Sequence, residues 1–427
     1  MAQTSFLFNC RPFNGSRKRV LMALLVVLSY LFSSCLESSD AFAVPAPSSL
    51  SPPIGTSTSV QTNTTEPAQF LKIDSATCKL PSQNTRGDVE IGFPRIPNRV
   101  PSIGDIQAAM IFVDFSDAAA SIAPKDLYSY FGSAPALLKK LSYGKANLHI
   151  SPDLQWHRMS RTATSYGQEL KRSFTALRLY ISEAIALASA TEDLSKVSIV
   201  YVVSSPNAKS IVRSMAFVAR PGYEIIAGNA KITNGVLFGS DWPSAYDKTL
   251  VHETSHTFGL VDDYNANFNS SNFDDAFRFT GDFSIMGTLY GTAPQYLAWE
   301  SWLMNWLDDS QVDCLAPGGR TLTLQALETR QGLKMAVIPI STTKAVLIES
   351  RRPILADEHL PTAGVLVYTV DTSIASANGP LRIIGGTPAY HLTDALLTKG
   401  DQLTIGNITV RVINSTEASD TISISVG

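Results

Sequence analysis

In the first half of the chain, apolar runs typical of strands alternate along the sequence with an apolar pattern typical of a helix. Residues 110–113 form a continuous apolar run, and KVSIVYVVSS is rich in β-branched residues, so both segments predict buried strands. The segments SYGKANLHI and NGVLFGSDWP predict further strands beside turns. Between them, one helical face carries apolar residues at Leu170, Phe174, Leu177, Ile181 and Ile185. Strands that alternate with helices indicate an α/β domain, which we place at residues 101–315.

The second half of the chain has a different pattern. Short strand-like runs are separated by Gly, Pro and Asp, and no long helical period occurs. The runs are RTLTLQAL, MAVIPI, AVLIES, GVLVYTVD, DQLTIGNITVRVI and TISISV. This pattern predicts a β-sandwich-like domain over residues 316–427.

The first 100 residues follow neither pattern. Basic residues at 17–19 precede an apolar run at 20–32, and Ala41-Phe42-Ala43 has the small-x-small form of a cleavage site, so residues 1–43 predict a secretory signal peptide. A lipid on Cys35 or a retained anchor are the alternatives. Residues 44–100 are predicted to be a disordered Pro/Ser/Thr-rich linker and lead-in. We therefore expect a secreted or extracellular protein without a membrane span in its mature form.

Composition and charge indicate which kinds of binding partner the protein is expected to have. The chain has 427 residues, 44% of them hydrophobic, which is enough for two domains with cores of their own. The net charge is -3, and no long basic run follows the first 20 residues, so nothing indicates nucleic-acid binding. We expect a monomer.

Two cysteines remain after the predicted signal peptide, Cys78 and Cys314. In an oxidising compartment such a pair predicts one disulfide. The alternative is that the Cys78 thiolate caps a metal ion in a latent form of the protein.

The candidate chemistry lies in LVHETSHTFGLVDDY, residues 250–264. His252 and His256 are four positions apart, so on an α-helix both imidazoles lie on one face and can bind one Zn²⁺ ion. Glu253 is displaced by about 100° around the helix axis, where it can accept a proton from water at the metal. The alternative is an ordinary amphipathic helix, since HExxH alone is a weak signal.

A third ligand is predicted from the residues after the helix, because catalytic zinc sites use three protein ligands. Gly259 can adopt the left-handed conformation that ends a helix and reverses the chain. Asp262 would then return to the metal, with Asp263 as the alternative. Met286 in DFSIMG is predicted to form a methionine turn that packs beneath the histidines.

These motifs resemble those of the immune inhibitor A-like secreted metallopeptidases. VHETSHTFGLVDDY, SIMG and PQYLAWESWLMNWL resemble the family's HExxHxxGLxDxY motif, methionine turn and Trp-rich helix. IFVDFSD and the strands after residue 344 resemble its other segments, although Val261 stands where the family often has proline. The resemblance covers roughly residues 105–415.

The resemblance implies a metzincin-like catalytic domain with a twisted mixed sheet and a zinc-binding helix. It implies zinc endopeptidase activity on protein or peptide substrates, with His252, His256 and Asp262 as metal ligands and Glu253 as general base. Two alternatives stay open. One is a secreted or surface binding protein with a vestigial zinc domain, and the other is a zinc amidase acting on a non-protein substrate.

Three further features have weaker patterns. Asp263, Asn265, Asn267 and Asn269 alternate in a polar loop that could bind Ca²⁺, although the loop lacks the glycine of an EF-hand. Trp299, Trp302 and Trp306 have the spacing of a core stripe on a helix. Residues 234–240, NGVLFGS, are the candidate edge strand for substrate pairing.

Overall fold

The computed structural model describes residues 72–83, 88–189, 193–269, 271–316 and 318–426. The predicted signal peptide, the alternative lipid site at Cys35 and the Pro/Ser/Thr-rich stretch at 44–70 lie outside the described residues. Within them the fold is mixed α/β, with several sheets and few helices.

The α-helices of the described residues all precede residue 304. They are α1 (Pro124–Ser129), α2 (Ala134–Leu141), α3 (Ala163–Leu170), α4 (Phe174–Ala188), α5 (Asp247–Phe258) and α6 (Ala298–Leu303). None of the helices in this part of the chain has the length and apolar character needed to cross a membrane.

The strands extend over the whole described chain. They are β1 (Lys72–Ile73), β2 (Gly104–Asp114), β3 (Ala146–Arg158), β4 (Ile199–Ser204), β5 (Met215–Val218), β6 (Ile225–Ala227), β7 (Ala230–Ile232), β8 (Asn234–Phe238), β9 (Val312–Leu315), β10 (Arg320–Gln325), β11 (Met335–Pro339), β12 (Lys344–Arg351), β13 (Gly364–Asp371), β14 (Leu381–Ile383), β15 (Gln402–Ile405), β16 (Ile408–Ser415) and β17 (Ser419–Val426). Every strand-like run named above from the sequence contains a strand.

A five-stranded sheet with the order β3-β2-β4-β8-β5 organises the N-terminal region. Its first four strands are parallel, whereas β5 is antiparallel to β8. β4 and β8 are buried along their whole length, since α4 packs on one face of the sheet and α5 on the other. This burial on both faces explains the continuous apolar runs.

The predicted helix that starts at Leu170 is two helices in the structure. Leu170 ends α3, and α4 begins only at Phe174. The break occurs because the Ser173 side chain accepts a hydrogen bond from the Ala176 N–H and so caps a new helix. The apolar face predicted for Leu177, Ile181 and Ile185 is buried, as expected.

The C-terminal region consists of two sheets with one core between them. One sheet has the order β1-β9-β11-β12-β13-β14, and the other has the order β10-β17-β16-β15. Apolar side chains of both sheets form a single buried cluster, in which Val346 and Val367 of the first sheet join Val410 and Ile422 of the second.

The two regions are not separated at residue 316. β9, which ends the predicted catalytic domain, pairs with β11 in the C-terminal sheet. β1, from the predicted lead-in at 44–100, pairs with β9 and is therefore part of the same sheet. The short lead-in strand and the last strand before residue 316 thus belong structurally to the C-terminal region.

The prediction for the edge strand is wrong. β8, which contains most of the segment 234–240, lies between β4 and β5. Its two neighbours occupy both of its hydrogen-bonding edges, so it has none to offer a substrate. The free edge of the sheet on this side belongs to β5.

Cys78 and Cys314 form the predicted disulfide, with an S–S distance of 2.01 Å and a Cα–Cα distance of 5.8 Å. The alternative role for Cys78, a thiolate that caps a metal, is therefore wrong for this structure. The bond connects the segment after β1 to β9.

A buried charge network joins the two regions. Arg351 of β12 is completely buried and lies within 3.5 Å of carboxylate oxygens of Glu328, Glu349 and Asp357. It also donates to the main-chain carbonyl of Gln295, at 3.0 Å. Since a buried charge that loses its partners is strongly destabilising, this network holds the segment before α6 against β12.

Candidate metal centre

Helix α5 carries the HExxH residues and is buried along most of its length. Two of its buried polar side chains bond within the helix, since the Thr254 and Ser255 hydroxyls each donate to a carbonyl one turn back, at 2.7 Å. The Thr254 hydroxyl also lies 2.7 Å from the Tyr201 hydroxyl of β4. These bonds hold the helix in a defined position against the sheet.

Two main-chain carbonyls orient the two histidines. His252 Nδ1 lies 3.0 Å from the carbonyl oxygen of Ile285, and His256 Nδ1 lies 2.8 Å from that of Leu260. A carbonyl only accepts hydrogen bonds, so each Nδ1 carries the hydrogen and each Nε2 of a neutral imidazole has a lone pair. This is the tautomer that a metal ligand needs.

Gly259 reverses the chain after α5, as predicted. Its φ is +104°, in the left-handed region, and its N–H bonds to the carbonyls of Ser255 and His256. The Leu260 N–H also bonds to the Ser255 carbonyl, at 3.1 Å. This glycine cap returns the following residues towards the histidines.

Asp262 is the acidic residue that meets the histidines. Its Oδ1 lies 3.3 Å from His252 Nε2 and 3.2 Å from His256 Nε2. Among the described residues, these three side chains form a group that could hold a metal ion. Asp263, the alternative ligand, donates its N–H to the Met286 carbonyl, at 3.0 Å. Its buried carboxyl group interacts with Glu300 in the core, and burial raises the pKa of Asp263.

The atoms that the three side chains present suit a bound cation. Three acceptor atoms approach one another, and such an arrangement is favourable only with protons or a cation between them. For a zinc ion at about 2.0–2.1 Å from each ligand, the tetrahedral ligand–ligand separation is about 3.3–3.4 Å. The two distances from Asp262 Oδ1 to the Nε2 atoms are close to this value, and all three ligand atoms lie within 4.8 Å of one another. Without metal, protons take this role. Burial alone lowers the pKa of His256, but the adjacent Asp262 carboxylate raises it overall to about 9.

Glu253 lies beside the ligands and is 2% exposed. Burial raises the pKa of Glu253 to about 7, although the attraction of His256 and His252 opposes this shift. A divalent cation in the site would lower the pKa and favour the carboxylate. A carboxylate in this position suits a general base.

Met286 belongs to a turn that contacts both sides of the site. The preceding Ile285 carbonyl orients His252, and the Met286 carbonyl accepts the Asp263 N–H. The Met286 side chain is fully buried in the core that also contains the apolar side chains of α5. Ser284, with φ of +71°, shapes the turn and accepts the Met286 N–H through its hydroxyl.

A cleft of about 470 Å³ opens beside the ligands. The edge strand β5 and helix α4 provide an apolar wall, which includes Phe174, Leu177, Met215 and Val218. The segment at 88–89 and the loop between β13 and β14 line the cleft as well. The candidate ligands His256 and Asp262 and the acid Glu253 are therefore accessible from a groove along a sheet edge.

The cleft residues that the sequence did not predict as site residues include Arg213, Tyr264 and Ser376. Tyr264 has a signal, since it lies two positions after Asp262 in the motif, and burial raises the pKa of its hydroxyl, which therefore stays protonated. Arg213 and Ser376 are distant in sequence from the motif. No local pattern could have identified them.

The predicted calcium loop uses its oxygens in local turns. Asn265 Oδ1 accepts the Asn267 N–H at 3.1 Å, and Asn269 Oδ1 accepts from the main chain and hydroxyl of Ser271. The Asn267 side chain donates to Asn378, at 2.9 Å. Calcium binding at this loop stays a prediction.

The three tryptophans and three further histidines pack in the core or pair with neighbouring side chains, away from the candidate metal ligands. The three tryptophans are buried, as the core prediction requires, but only Trp299 and Trp302 lie on α6, which ends at Leu303 before Trp306. His149 and His157 pair with Asp105 and Asp153 on β2 and β3. His391 stacks on a phenylalanine ring, with a centroid distance of 3.9 Å.

No model of a known protein family matches the chain, and no curated protein matches it. The resemblance to the immune inhibitor A-like peptidases therefore stays a prediction from the motifs. The functional conclusion depends on the geometry of His252, His256, Asp262 and Glu253.

Proposed function

We propose that the protein is a zinc-dependent endopeptidase of the metzincin type that hydrolyses peptide bonds in proteins. The observation that carries this proposal is that one carboxylate oxygen lies 3.2–3.3 Å from each of two imidazole Nε2 atoms. Glu253 lies beside them in an open cleft. Three ligands leave a fourth position for water or substrate, which is the arrangement of catalytic rather than structural zinc.

The reaction needs a proton to be moved twice. Bound zinc would polarise the scissile carbonyl and make water a stronger nucleophile near neutral pH. Glu253 accepts the proton that the attacking water loses, and it then delivers this proton to the departing amine nitrogen. Burial of Glu253 favours the first transfer, because it raises the pKa of Glu253 and makes the carboxylate a stronger proton acceptor.

The substrate would bind as an extended chain along β5. Among the described residues β8 is the one strand that pairs with β5, so the outer edge of β5 can pair with the main chain of a peptide. The apolar side chains on the same wall, including Phe174 and Met215, favour apolar side chains in the substrate. β5 thus replaces β8 as the proposed binding edge.

Tyr264 is the proposed second donor to the oxygen that gains negative charge during hydrolysis. Its phenol lines the cleft together with Glu253 and Asp262. Since burial raises the pKa of Tyr264, the hydroxyl keeps its proton and can donate a hydrogen bond.

The finer features of the fold and setting are part of the same proposal. We propose that the five-stranded sheet and α5 form a metzincin-like catalytic domain, related to the immune inhibitor A-like peptidases. The two C-terminal sheets would then be a β-sandwich-like domain. The protein would be secreted, with protein or peptide substrates, and it would act as a monomer.

The Glu253→Gln variant tests the activity. We expect it to bind one zinc ion per chain like the wild type and to lose proteolysis by about 10²–10⁴-fold, because only the proton acceptor is removed. Zinc content would be measured by atomic absorption, and cleavage with casein and a peptide library. Glu358→Gln, at an exposed glutamate, is the matched control and should be fully active.

Four results would contradict the proposal. A wild-type protein without stoichiometric zinc excludes the metal centre. Glu253→Gln activity equal to the wild type excludes the general base. Zinc binding without proteolysis would favour the vestigial binding protein, and cleavage of cell-wall fragments in place of peptides would favour the zinc amidase.

A further inference from the structure

The segment that contains Asp262 is held by a loop of the C-terminal region. The loop connects β13 to β14, and its Ala377 N–H donates to the Asp262 carbonyl at 2.9 Å. The Ala377 carbonyl accepts the Ala266 N–H at 3.1 Å. One residue further on, Asn378 Oδ1 accepts from the Asn267 side chain at 2.9 Å. These bonds fasten the loop along the chain that follows the Gly259 turn.

Ser376 contacts both the main chain and the side chain of Asp262, from 114 positions away in sequence. Its Oγ accepts the Asp262 N–H at 2.9 Å. The hydroxyl keeps its own hydrogen for donation, and Asp262 Oδ2 lies 3.4 Å away. The Ser376 hydroxyl therefore contacts both the Asp262 carboxylate and the Asp262 main-chain N–H, and so links the side chain to its own backbone.

The other oxygen of the same carboxylate is the one that meets the histidines. Asp262 Oδ1 lies 3.3 Å and 3.2 Å from the two Nε2 atoms. Because the side chain of aspartate has only two rotatable bonds, a contact to Oδ2 also determines where Oδ1 points. Ser376 is therefore placed to keep the Asp262 side chain in the rotamer that directs Oδ1 towards the histidines.

We propose that Ser376 is a positioning residue that orients Asp262 for metal binding, so that the C-terminal region completes the metal centre. This inference rests on the zinc site of the proposed function. It adds the requirement that the loop between β13 and β14 is part of that site. Groups that orient metal ligands typically change metal affinity by about 10–100-fold when they are removed.

The experiment compares zinc affinity in the full chain, measured by competition with a chromogenic chelator. Ser376→Ala removes both hydrogen bonds to Asp262 and should weaken zinc binding by about 10–100-fold. Ser376→Thr keeps the hydroxyl and should restore the affinity to within about 3-fold of the wild type. Ser373→Ala is the matched control, because Ser373 is exposed in the same loop and its hydroxyl bonds to Asp371.

Thermal unfolding in the presence of chelator separates positioning from stability. We expect the metal-free Ser376→Ala and Ser373→Ala proteins to unfold at similar temperatures, with a smaller zinc-induced increase only for Ser376→Ala. Should Ser376→Ala fail to fold, Ser376→Gly removes the same hydroxyl with fewer backbone restrictions.

The outcomes separate this inference from the proposed function. Wild-type zinc affinity in Ser376→Ala or Ser376→Gly overturns the role of Ser376 and leaves the zinc peptidase intact. An equal loss in Ser373→Ala also overturns it, because the effect would then belong to the loop in general. A wild-type protein that binds no zinc overturns both.

Discussion

At the scale of residues, sequence spacing predicts the site residues that lie on one helix, whereas tertiary contacts decide which residue after the helix joins them. His252, His256 and Glu253 follow from helical periodicity, which depends only on sequence distance. Helical periodicity cannot decide between Asp262 and Asp263, since both residues come directly after the Gly259 turn. The choice is decided by the Met286 carbonyl and by Glu300, which hold Asp263 in the core.

Replacing Gly259 by alanine should affect both stability and metal binding. A non-glycine residue at φ of +104° costs about 1–2 kcal/mol. The added Cβ would lie 3.6 Å from Arg99 Cγ, an ordinary contact, so the cost comes from the backbone. Because the turn directs Asp262 to the histidines, we also expect weaker zinc binding in a chelator competition assay.

Gly400→Ala is the control for this substitution. Gly400 has φ of +98° and no neighbour within 4 Å of an added Cβ, so its backbone cost should be similar. It lies outside the candidate site, and zinc affinity should be unchanged. Equal zinc affinity in both variants would contradict the role assigned to the Gly259 turn.

At the scale of elements, the sequence identifies strands better than it identifies their neighbours. The apolar runs predicted β2, β4 and β8, because burial on both faces is visible in each run by itself. The order of strands depends on pairings between distant segments. β5 is short, and it has no alternating pattern that would show it to be the edge beside the cleft.

Removal of the disulfide should destabilise the fold without removing the metal site. The bond closes a loop between residues 236 positions apart, so the Cys78→Ala/Cys314→Ala variant should lose about 2–5 kcal/mol of unfolding free energy. Urea unfolding measures this loss. The wild type treated with a reducing agent should approach the same value, and an unchanged free energy in both would contradict the prediction.

At the scale of the whole molecule, the two predicted domains share structure. β1 and β9 lie in the C-terminal sheet, Arg351 binds the segment before α6, and Ser376 contacts Asp262. Composition and periodicity show a change of character near residue 316 and so suggest a boundary. They contain no information about contacts across it, because those contacts depend on pairings between distant segments and on single polar residues.

The metal-free protein should become less stable as the pH rises from about 5 to 9. The folded-state pKa of Glu253 is about 7 against an ordinary 4.5, and that of His256 is about 9 against 6.5. A raised folded pKa contributes stability that is present below the unfolded pKa and lost as the pH rises through the folded pKa. Asp262, whose pKa is lowered, contributes fully above 3.8 and does not oppose this trend.

Melting temperatures with chelator and with zinc, recorded across this pH range, test the trend. Zinc competes with protons for the histidines, so the stabilisation by zinc should increase with pH. Glu253→Gln removes one of the groups whose pKa is raised, and the metal-free melting temperature of this variant should depend less on pH between about 4.5 and 7. A metal-free variant with the same slope as the wild type in that window would contradict the assignment to Glu253.

The position of Ser376 in the sequence also determines when, during synthesis of the chain, the candidate metal centre can be completed. A ribosome delivers the chain from its N-terminus, so the histidines and Asp262 are made before Ser376, which follows Asp262 by 114 residues. Under the proposed function, the nascent chain has its zinc ligands long before the loop that orients one of them. Under that proposal the active site would be among the last parts to mature, and the growing chain and its neighbours would be protected from premature cleavage.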